Sequence, residues 1–316
     1  MAMKAIRSGA RVGPILLAAL SFGLTAPAQA QAPGVTRKPP AGAPDWTAVD
    51  QIMGREGKMQ PGGVYKYSFP RGDLTVQVRG VSLKPALALG SWVAFEGTGG
   101  EAMAMGDLVL TDNEITPVLT KLQQAGVQQT ALHNHLLGES PRIMYLHIEA
   151  RGQATKIAEA VHAALALTKT PPAKPASAPP KEAFTLDTAQ IKAALGYGGS
   201  VNGGVYQVSV PHAETVRADG MEVPPSMGVA TAINFEPTAA GKAAITGDFV
   251  LTANEVNPVI QALRSSGIEV TAVHSHMLTE EPRLFFLHYW ANDDAVALAR
   301  GLRGALDRMN VKKATS

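Results

Sequence analysis

The sequence predicts an α+β fold built as two tandem homologous domains, each a mainly antiparallel sheet with flanking helices. The first observation is an internal repeat: residues 106–152 align without gaps on residues 247–293, with 22 of the 47 positions identical. The second is the Pro/Ala-rich segment 168–183 between the copies, which is typical of a semi-rigid spacer. The third is the alternation of strand patterns with amphipathic helix patterns inside each copy.

These observations also divide the chain. We predict a signal peptide over residues 1–30, a first domain over 45–167, a linker over 168–183 and a second domain over 184–310. The two domains are called the first copy and the second copy below. Each has a usual domain size.

The first thirty residues have the pattern of a secretory signal. Lys4, Arg7 and Arg11 precede a short apolar run, and residues 28–30, Ala-Gln-Ala, form a small-residue cleavage site. The apolar run is shorter than the ~20 residues that a spanning helix needs. We therefore expect a periplasmic or secreted protein with no membrane anchor after cleavage.

Charge and cysteine content exclude several classes of function. Loss of the three basic signal residues changes the formal charge from +2 to −1, and no basic run remains to bind nucleic acid. The chain has no cysteine, which excludes zinc–thiolate sites, a cysteine nucleophile and a lipid on an N-terminal cysteine. Any metal must be held by histidine, carboxylate, methionine or backbone oxygen.

Each copy is predicted to begin with a short helix, followed by a run of strands and a second helix. GGVYKYSFPR and LTVQVRGVSL carry the β-branched and aromatic residues of strands. The next helix has two alternative starts. It begins either with Thr116 as N-cap and Pro117 at the first helical position, or with Thr111 and Glu114 as a capping box. In both cases Gly126 ends the helix. The second copy repeats both patterns, at Asn257, Pro258 and Gly267, or at Thr252 and Glu255.

A hairpin rich in histidine follows this helix, and a further helix closes each copy. QQTALHNHLL and RIMYLHIEA read as two strands joined by a turn around GESP. Side chains alternate along a strand, so His133 and His135 are expected on one face. With the turn centred near residue 140, His147 is expected directly opposite His133. Six of the eight histidines in the chain lie in this hairpin and its repeat.

Three converging imidazoles with a nearby carboxylate predict a metal site in each hairpin. Zn²⁺ takes such ligands at ~2.0–2.2 Å and is the first expectation for the ion, with Cu, Fe, Mn or Ni as alternatives. A buried polar network without metal, or direct acid–base chemistry, also fits these histidines. The predicted ligands are His133, His135, Glu139 and His147 in the first copy, and His274, His276, Glu280 and His288 in the second.

Residues beside the hairpins are candidates for contact with a substrate. Arg142 and Arg283 suit a carboxylate or phosphate, or alternatively pin the neighbouring glutamate. The second copy carries extra aromatic surface at Tyr289 and Trp290 and an extra carboxylate at Glu281. We therefore expect the second copy to hold the tighter or active site, with Glu281 as the candidate catalytic base.

Several motifs resemble one known family. GDLVLTDNEITPV, TALHNHLLGESPRIMYLH and their second-copy forms GDFVLTANEVNPV and TAVHSHMLTEEPRLFFLHYWAND are similar to the LppY/LpqO family, also called DUF1259. The resemblance covers both copies, roughly residues 45–310. It implies an exported bacterial protein, in some members a lipoprotein, with no established activity. Without cysteine this chain departs from the lipoprotein members.

The sequence thus supports an exported protein that binds a divalent metal in each domain. A metal-dependent hydrolase is the second hypothesis, because an open coordination position lowers the pKa of bound water towards ~7. A metal-free binding module for a small molecule or a cell-envelope ligand is the third. Neither the ligand nor the oligomeric state follows from the sequence.

Overall fold

The computed structural model describes residues 45–173 and 184–313. The predicted signal peptide and most of the predicted linker lie outside these residues. No helix in the described ranges is long and apolar enough to cross a membrane.

The first copy places one six-stranded antiparallel sheet against three of its helices. The sheet order is β1-β2-β5-β6-β9-β7, and a small second sheet has the order β4-β3-β8. The elements are α1 Thr47–Met53, β1 Lys58–Met59, β2 Tyr65–Pro70, β3 Gln77–Val78, β4 Val81–Ser82, α2 Pro85–Ala88, β5 Gly90–Gly97, β6 Glu101–Thr111, α3 Asp112–Gln124, β7 Gln128–His133, β8 Glu139–Ser140, β9 Ile143–Gln153 and α4 Ala154–Leu165.

The second copy repeats this architecture, with sheet orders β10-β11-β14-β15-β18-β16 and β13-β12-β17. The predicted fold class is therefore confirmed. The elements are α5 Thr188–Leu195, β10 Ser200–Asn202, β11 Val205–Pro211, β12 Arg217–Ala218, β13 Met221–Glu222, a 3-10 turn Pro225–Met227, β14 Ala230–Ala239, β15 Lys242–Thr252, α6 Ala253–Ser265, β16 Glu269–His274, β17 Glu280–Glu281, β18 Leu284–Asp294 and α7 Ala295–Leu306.

The helix before each histidine strand starts at a capping box. In α3 the Thr111 side chain accepts from the backbone of Glu114, and the Glu114 carboxylate accepts from the Thr111 amide at 2.9 Å. Thr252 and Glu255 do the same for α6. The alternative start at Pro117 is wrong, because the capping box satisfies the free amides several residues earlier.

Each large sheet has two different faces. One face packs on helices α1, α3 and α4 in the first copy, or α5, α6 and α7 in the second, and forms an apolar core there. The other face packs against the opposite copy in two mixed apolar clusters. Burial of apolar side chains from both copies in the same clusters joins the two domains into one body.

Contacts between the copies are reciprocal. Helix α2 of the first copy packs on β14 and β15, and the 3-10 turn of the second copy packs on β5. Gln207 Nε2 donates to the Ala86 carbonyl at 2.8 Å, and its counterpart Lys66 Nζ donates to the Ser226 carbonyl at 3.2 Å. Such reciprocity is what an approximate two-fold axis between the copies produces.

Candidate metal centre

The histidine strands of the two copies meet between the sheets. β7 and β16 end at His133 and His274, whose ring centroids lie 3.6 Å apart. All six histidines of the two hairpins therefore form one group, called the histidine cluster below. Its members are His133, His135, His147, His274, His276 and His288.

The other four members contact each other across the copies in a reciprocal way. The His135 ring lies 3.9 Å from the His288 ring, and the His147 ring lies 3.7 Å from the His276 ring. His135 corresponds to His276 in the repeat, and His147 corresponds to His288. The sequence predicted two hairpin sites in separate domains, and the structure brings them into one cluster on the two-fold axis.

The pairing within the first hairpin differs from the predicted register. His133 lies opposite Tyr145, and His147 lies opposite Ala131. The prediction that His133 faces His147 is wrong, because the turn is centred one residue earlier than predicted. The histidines still converge, because His133 on β7 and His147 on the adjacent strand β9 lie on the same face of the sheet.

The orientation of three rings is set by backbone carbonyls. A carbonyl only accepts hydrogen bonds, so the nitrogen beside it carries the ring proton and the other nitrogen keeps a free lone pair. The three contacts are His133 Nδ1 to the Asn134 carbonyl at 3.1 Å, His274 Nδ1 to the Ser275 carbonyl at 3.4 Å, and His288 Nδ1 to the Gly247 carbonyl at 2.9 Å.

All six Nε2 atoms are buried and have no hydrogen-bond partner within residues 45–173 and 184–313. A buried polar atom left without a partner costs about 1–3 kcal/mol. Six such atoms in one place therefore need a compensating interaction, and an imidazole nitrogen with a free lone pair is a metal ligand.

Burial also keeps the cluster uncharged. It lowers the pKa of His133 to about 3, with His274 lowering it further, and it lowers the pKa of His274 to about 4. Neutral imidazole is the form that binds metal, so the cluster keeps its ligands deprotonated well below neutral pH. The pKa values of the other four members lie well below the usual range, mainly because of burial and secondly because of the neighbouring histidines. These members are His135, His147, His276 and His288.

Two aspartates that the sequence reasoning missed border the cluster. Asp107 Oδ2 lies 3.7 Å from His147 Nε2 and 3.9 Å from His135 Nε2. Asp248, the equivalent residue of the second copy, places Oδ2 3.9 Å from His276 Nε2. The signal was present as a Gly-Asp pair repeated inside a strongly apolar strand in both copies.

Burial also disfavours the charged form of these two carboxylates, which raises their pKa values. It raises the pKa of Asp107 to about 7, although the Lys66 ammonium lowers it. It raises the pKa of Asp248 well above its usual range, and the charge of Asp107 adds to that rise. Lys66 only partly matches the charge of Asp107, so a divalent ion bound beside Asp107 would find compensating negative charge.

Two groups within the cluster place one ligand atom per residue within 4.8 Å of one another. The larger group takes residues from both copies. The groups are His133, His274, His276 and His288, and His133, His135 and His147.

Neither group contains the two predicted glutamate ligands. Glu139 pairs with Val78 in the first small sheet. Glu280 accepts from the Leu284 amide at 3.0 Å and lies 3.3 Å from Arg283 Nη1. The turn after the two histidines is paired into a small sheet in each copy, and in the second copy Leu284 and Arg283 engage the Glu280 carboxylate there.

The predicted substrate residues of the turns lie on the surface. Arg142 is exposed. Arg283 Nη1 donates to the carbonyls of Met277 and Leu278 and to the Glu280 carboxylate. The contact with Glu280 agrees with the alternative prediction that this arginine pins the neighbouring glutamate. Glu281 is exposed on β17, opposite Arg217, and belongs to neither ligand group of the described residues.

The predicted aromatic residues lie on opposite faces of β18. Tyr289 is fully buried in the helix-side core of the second copy. Trp290 is 4% exposed in the inter-copy core and lines a surface groove of about 310 Å³ with Arg79 and Glu269. Strand alternation therefore separates the pair, and Trp290 alone borders a space open to a ligand.

A small cavity adjoins the cluster on the side of His147 and His276. Its volume of about 10 Å³ is about the least in which a water molecule fits. Apart from the two histidines and Thr130, the lining is mainly apolar, with Trp92 and Phe286 among its members.

Comparison with known proteins identifies a family and little beyond it. The family model described as Domain of Unknown Function (DUF1259) matches residues 47–167 and again residues 189–308. No curated protein matches the chain.

Two solved structures show a weak likeness to this chain. The trimeric bacterial microcompartment shell protein PduB is 12% identical, with a TM-score of 0.22 over 82% of this chain and 96% of that chain. EtuB from Clostridium kluyveri is 11% identical, with a TM-score of 0.19 over 80% of this chain and 90% of that chain. At TM-scores this low, neither likeness carries an argument about fold or function.

Proposed function

We propose a function from the geometry of this chain itself, because the chain belongs to the DUF1259 family, whose description names no activity. The proposal is that the histidine cluster binds a divalent transition-metal ion between the two copies. The observation that carries it is the set of six buried Nε2 atoms without a hydrogen-bond partner among the described residues.

A metal-free polar network accounts for this arrangement less well. Such a network pairs each buried donor with an acceptor. Here the three rings whose Nδ1 proton is directed to a carbonyl turn an unprotonated Nε2 inwards, and the remaining neighbours there are other imidazoles. Lone pairs that face one another are stabilised by a shared cation.

The larger of the two ligand groups offers the more complete set. Zn–N bonds are ~2.0–2.1 Å, so the nitrogens of a tetrahedral site lie ~3.4 Å apart, and spacings of up to 4.8 Å close with side-chain shifts of about an ångström. Four imidazoles suit Zn²⁺ first, with Cu, Fe, Mn or Ni as alternatives. His133 belongs to both groups, but a single nitrogen binds one ion. We therefore assign it to the larger group, His133, His274, His276 and His288.

We also propose that the protein works outside the cytoplasm. The basic residues, the apolar run and the Ala-Gln-Ala site in residues 1–30 support export, and the lack of cysteine is compatible with it. The mature chain is expected to begin at Gln31 and to contain domains at 45–167 and 184–310 joined by the linker 168–183. Mass determination of the protein recovered from the periplasm or the medium tests the cleavage site.

Elemental analysis of tag-free mature protein tests the metal proposal. The wild type should carry stoichiometric metal after export or after incubation with Zn²⁺. His276→Gln keeps a buried polar side chain of similar length and should lose most of that metal. His162→Gln is the matched control, because His162 is exposed at the end of α4 and lies outside the cluster.

Thermal unfolding provides a second readout. A ligand that binds only the folded state at 1,000 times its Kd stabilises that state by about 4 kcal/mol, so Zn²⁺ should raise the Tm of the wild type and of His162→Gln. If the wild type takes up no Zn²⁺, Cu²⁺, Mn²⁺ or Fe²⁺, the proposal fails. A metal-free binding module that uses the groove beside Trp290 then becomes the leading interpretation.

A further inference from the structure

Beyond the four-histidine position, we propose that Asp107, His135 and His147 form a second metal position, one with open coordination sites for a water-sized ligand. This inference rests on the proposed function, because it assigns a second ion and its ligand to the same cluster. It concerns the two histidines left over when the larger group takes the other four.

The distances fit two ligands of one ion and do not fit hydrogen bonds. Asp107 Oδ2 lies 3.7 Å from His147 Nε2 and 3.9 Å from His135 Nε2. Both distances are too long for hydrogen bonds. Both are shorter than the ~4.2 Å that separates the most distant ligands of an ion bound at ~2.1 Å. His135 and His147 belong, with His133, to a group whose ligand atoms lie within 4.8 Å of one another. Asp107 is outside that group and is added on its two distances to these imidazoles.

The buried polar atoms give a second observation. Asp107 Oδ1 and the Nε2 atoms of His135 and His147 are buried without a hydrogen-bond partner in the described part of the chain. Asp107 and His147 are each 6% exposed. A carboxylate and two imidazoles are thus held together where no hydrogen-bond donor of the described residues satisfies them.

The second copy does not build the equivalent set. Asp248 approaches His276 through Nε2 at 3.9 Å but approaches His288 through Nδ1 at 3.8 Å. That Nδ1 already donates to the Gly247 carbonyl at 2.9 Å and has no lone pair to offer. The open position is therefore a property of the first copy, and Asp248 provides a matched control.

Two imidazoles and one carboxylate leave several coordination sites free, and this donor set suits Fe²⁺. The cavity of about 10 Å³ adjoins this position at His147, with the apolar side chains of Trp92, Met105 and Phe286 in its lining; Asp107 and His135 do not line it. A water-sized ligand fits it and a larger substrate does not. The ligand class is accordingly water or hydroxide, with nitric oxide as the spectroscopic probe of the open position.

Anaerobic Fe²⁺ titration followed by nitric oxide tests the inference. The wild type should bind two ions per chain and give an iron–nitrosyl signal in electron paramagnetic resonance. Asp107→Asn keeps the side-chain shape, and it should bind one ion and lose most of the signal. Asp248→Asn should bind two ions and keep the signal. Near-ultraviolet circular dichroism checks that each variant folds, and His135→Gln replaces Asp107→Asn if that variant does not.

The outcomes separate this inference from the proposed function. If Asp107→Asn and Asp248→Asn bind the same number of ions and give equal nitrosyl signals, the second position is wrong. If the wild type, Asp107→Asn and Asp248→Asn each bind one ion and His276→Gln binds none, the four-histidine position stands and the second position fails. If the wild type binds no metal at all, both proposals fall together.

Discussion

The two copies hold the same buried glutamate with different partners. In the first copy Glu114 receives two hydrogen bonds from Arg71, at 2.8 Å and 3.0 Å. In the second copy His212, the residue equivalent to Arg71, places Nε2 3.1 Å from a Glu255 oxygen. The fold therefore requires a hydrogen-bond donor at this position and leaves its chemical identity open.

The rest of this arrangement is the same in both copies. The capping glutamate accepts from the amide of the N-cap threonine and from an amide beyond the last helix, that of Lys169 in the first copy and Asn310 in the second. Each glutamate thus ties the helix start to the end of its domain. Among the groups that donate to this glutamate, only the side chain that follows β2 or β11 differs between the copies: it is Arg71 in the first and His212 in the second.

The largest expected effect comes from removing the donor in the first copy. Arg71→Ala leaves Glu114 as a buried, uncompensated charge and should lower the free energy of unfolding by about 3–5 kcal/mol. His212→Ala should lower it by about 1–3 kcal/mol. Urea denaturation measures both, with Arg79→Ala, from an exposed ion pair, as a control expected within ~1 kcal/mol of wild type. Equal losses for Arg71→Ala and His212→Ala would contradict the comparison.

Acid should weaken the contacts of the capping glutamate in the second copy. Burial raises the pKa of Glu255, but hydrogen bonds from His212 and from the amides of Asn310 and Thr252 outweigh it and lower the pKa to about 2. A lowered carboxyl pKa contributes stability above the unfolded value of about 4.5, and that stability is lost as the pH falls towards about 2.

Glu255→Gln should therefore remove part of the acid dependence of the stability between about pH 4.5 and pH 2. Denaturant midpoints across this range provide the measurement. The variant should be less stable than the wild type at pH 7, and the difference should shrink as the pH falls. A constant difference at all pH values would show that folding does not shift the pKa of Glu255 and would contradict this prediction.

A smaller effect is expected where the cluster meets β9. Tyr145 Oη donates to the Ala88 carbonyl at 2.9 Å and its ring stacks on His135, whereas the second copy has Phe286 at the equivalent place against His276. Tyr145→Phe should cost about 0.5–1.5 kcal/mol from the lost hydrogen bond and leave metal content unchanged. Tyr289→Phe, whose hydroxyl contact is 3.4 Å long, should cost less in the same denaturation assay.

Much of the fold followed from sequence patterns, because strand alternation, capping residues and the internal repeat are local signals. The register of the histidine hairpin did not, because the centre of the turn lies one residue earlier than its sequence indicates, and a slip of one residue leaves no mark in composition. The glutamates after the two histidines looked like ligands by spacing. Pairing of β8 and β17 with distant short strands was not visible from spacing alone.

The candidate site was only half predictable for a different reason. Each hairpin was recognised from its own histidines, but their meeting depends on apolar contacts between residues far apart in the chain. Asp107 and Asp248 were overlooked because a single acidic residue in an apolar strand gives no periodic signal. They became visible only as neighbours of imidazoles in space.

The reciprocal cluster has a consequence for the history of this chain. One copy supplies three of the six imidazoles, so an ancestor with a single copy would have needed two identical chains to enclose the same centre. Fusion of two copies makes assembly of the centre independent of protein concentration. It also lifts the requirement that both halves carry the same residue, which lets Arg71 and His212, or Tyr145 and Phe286, diverge separately.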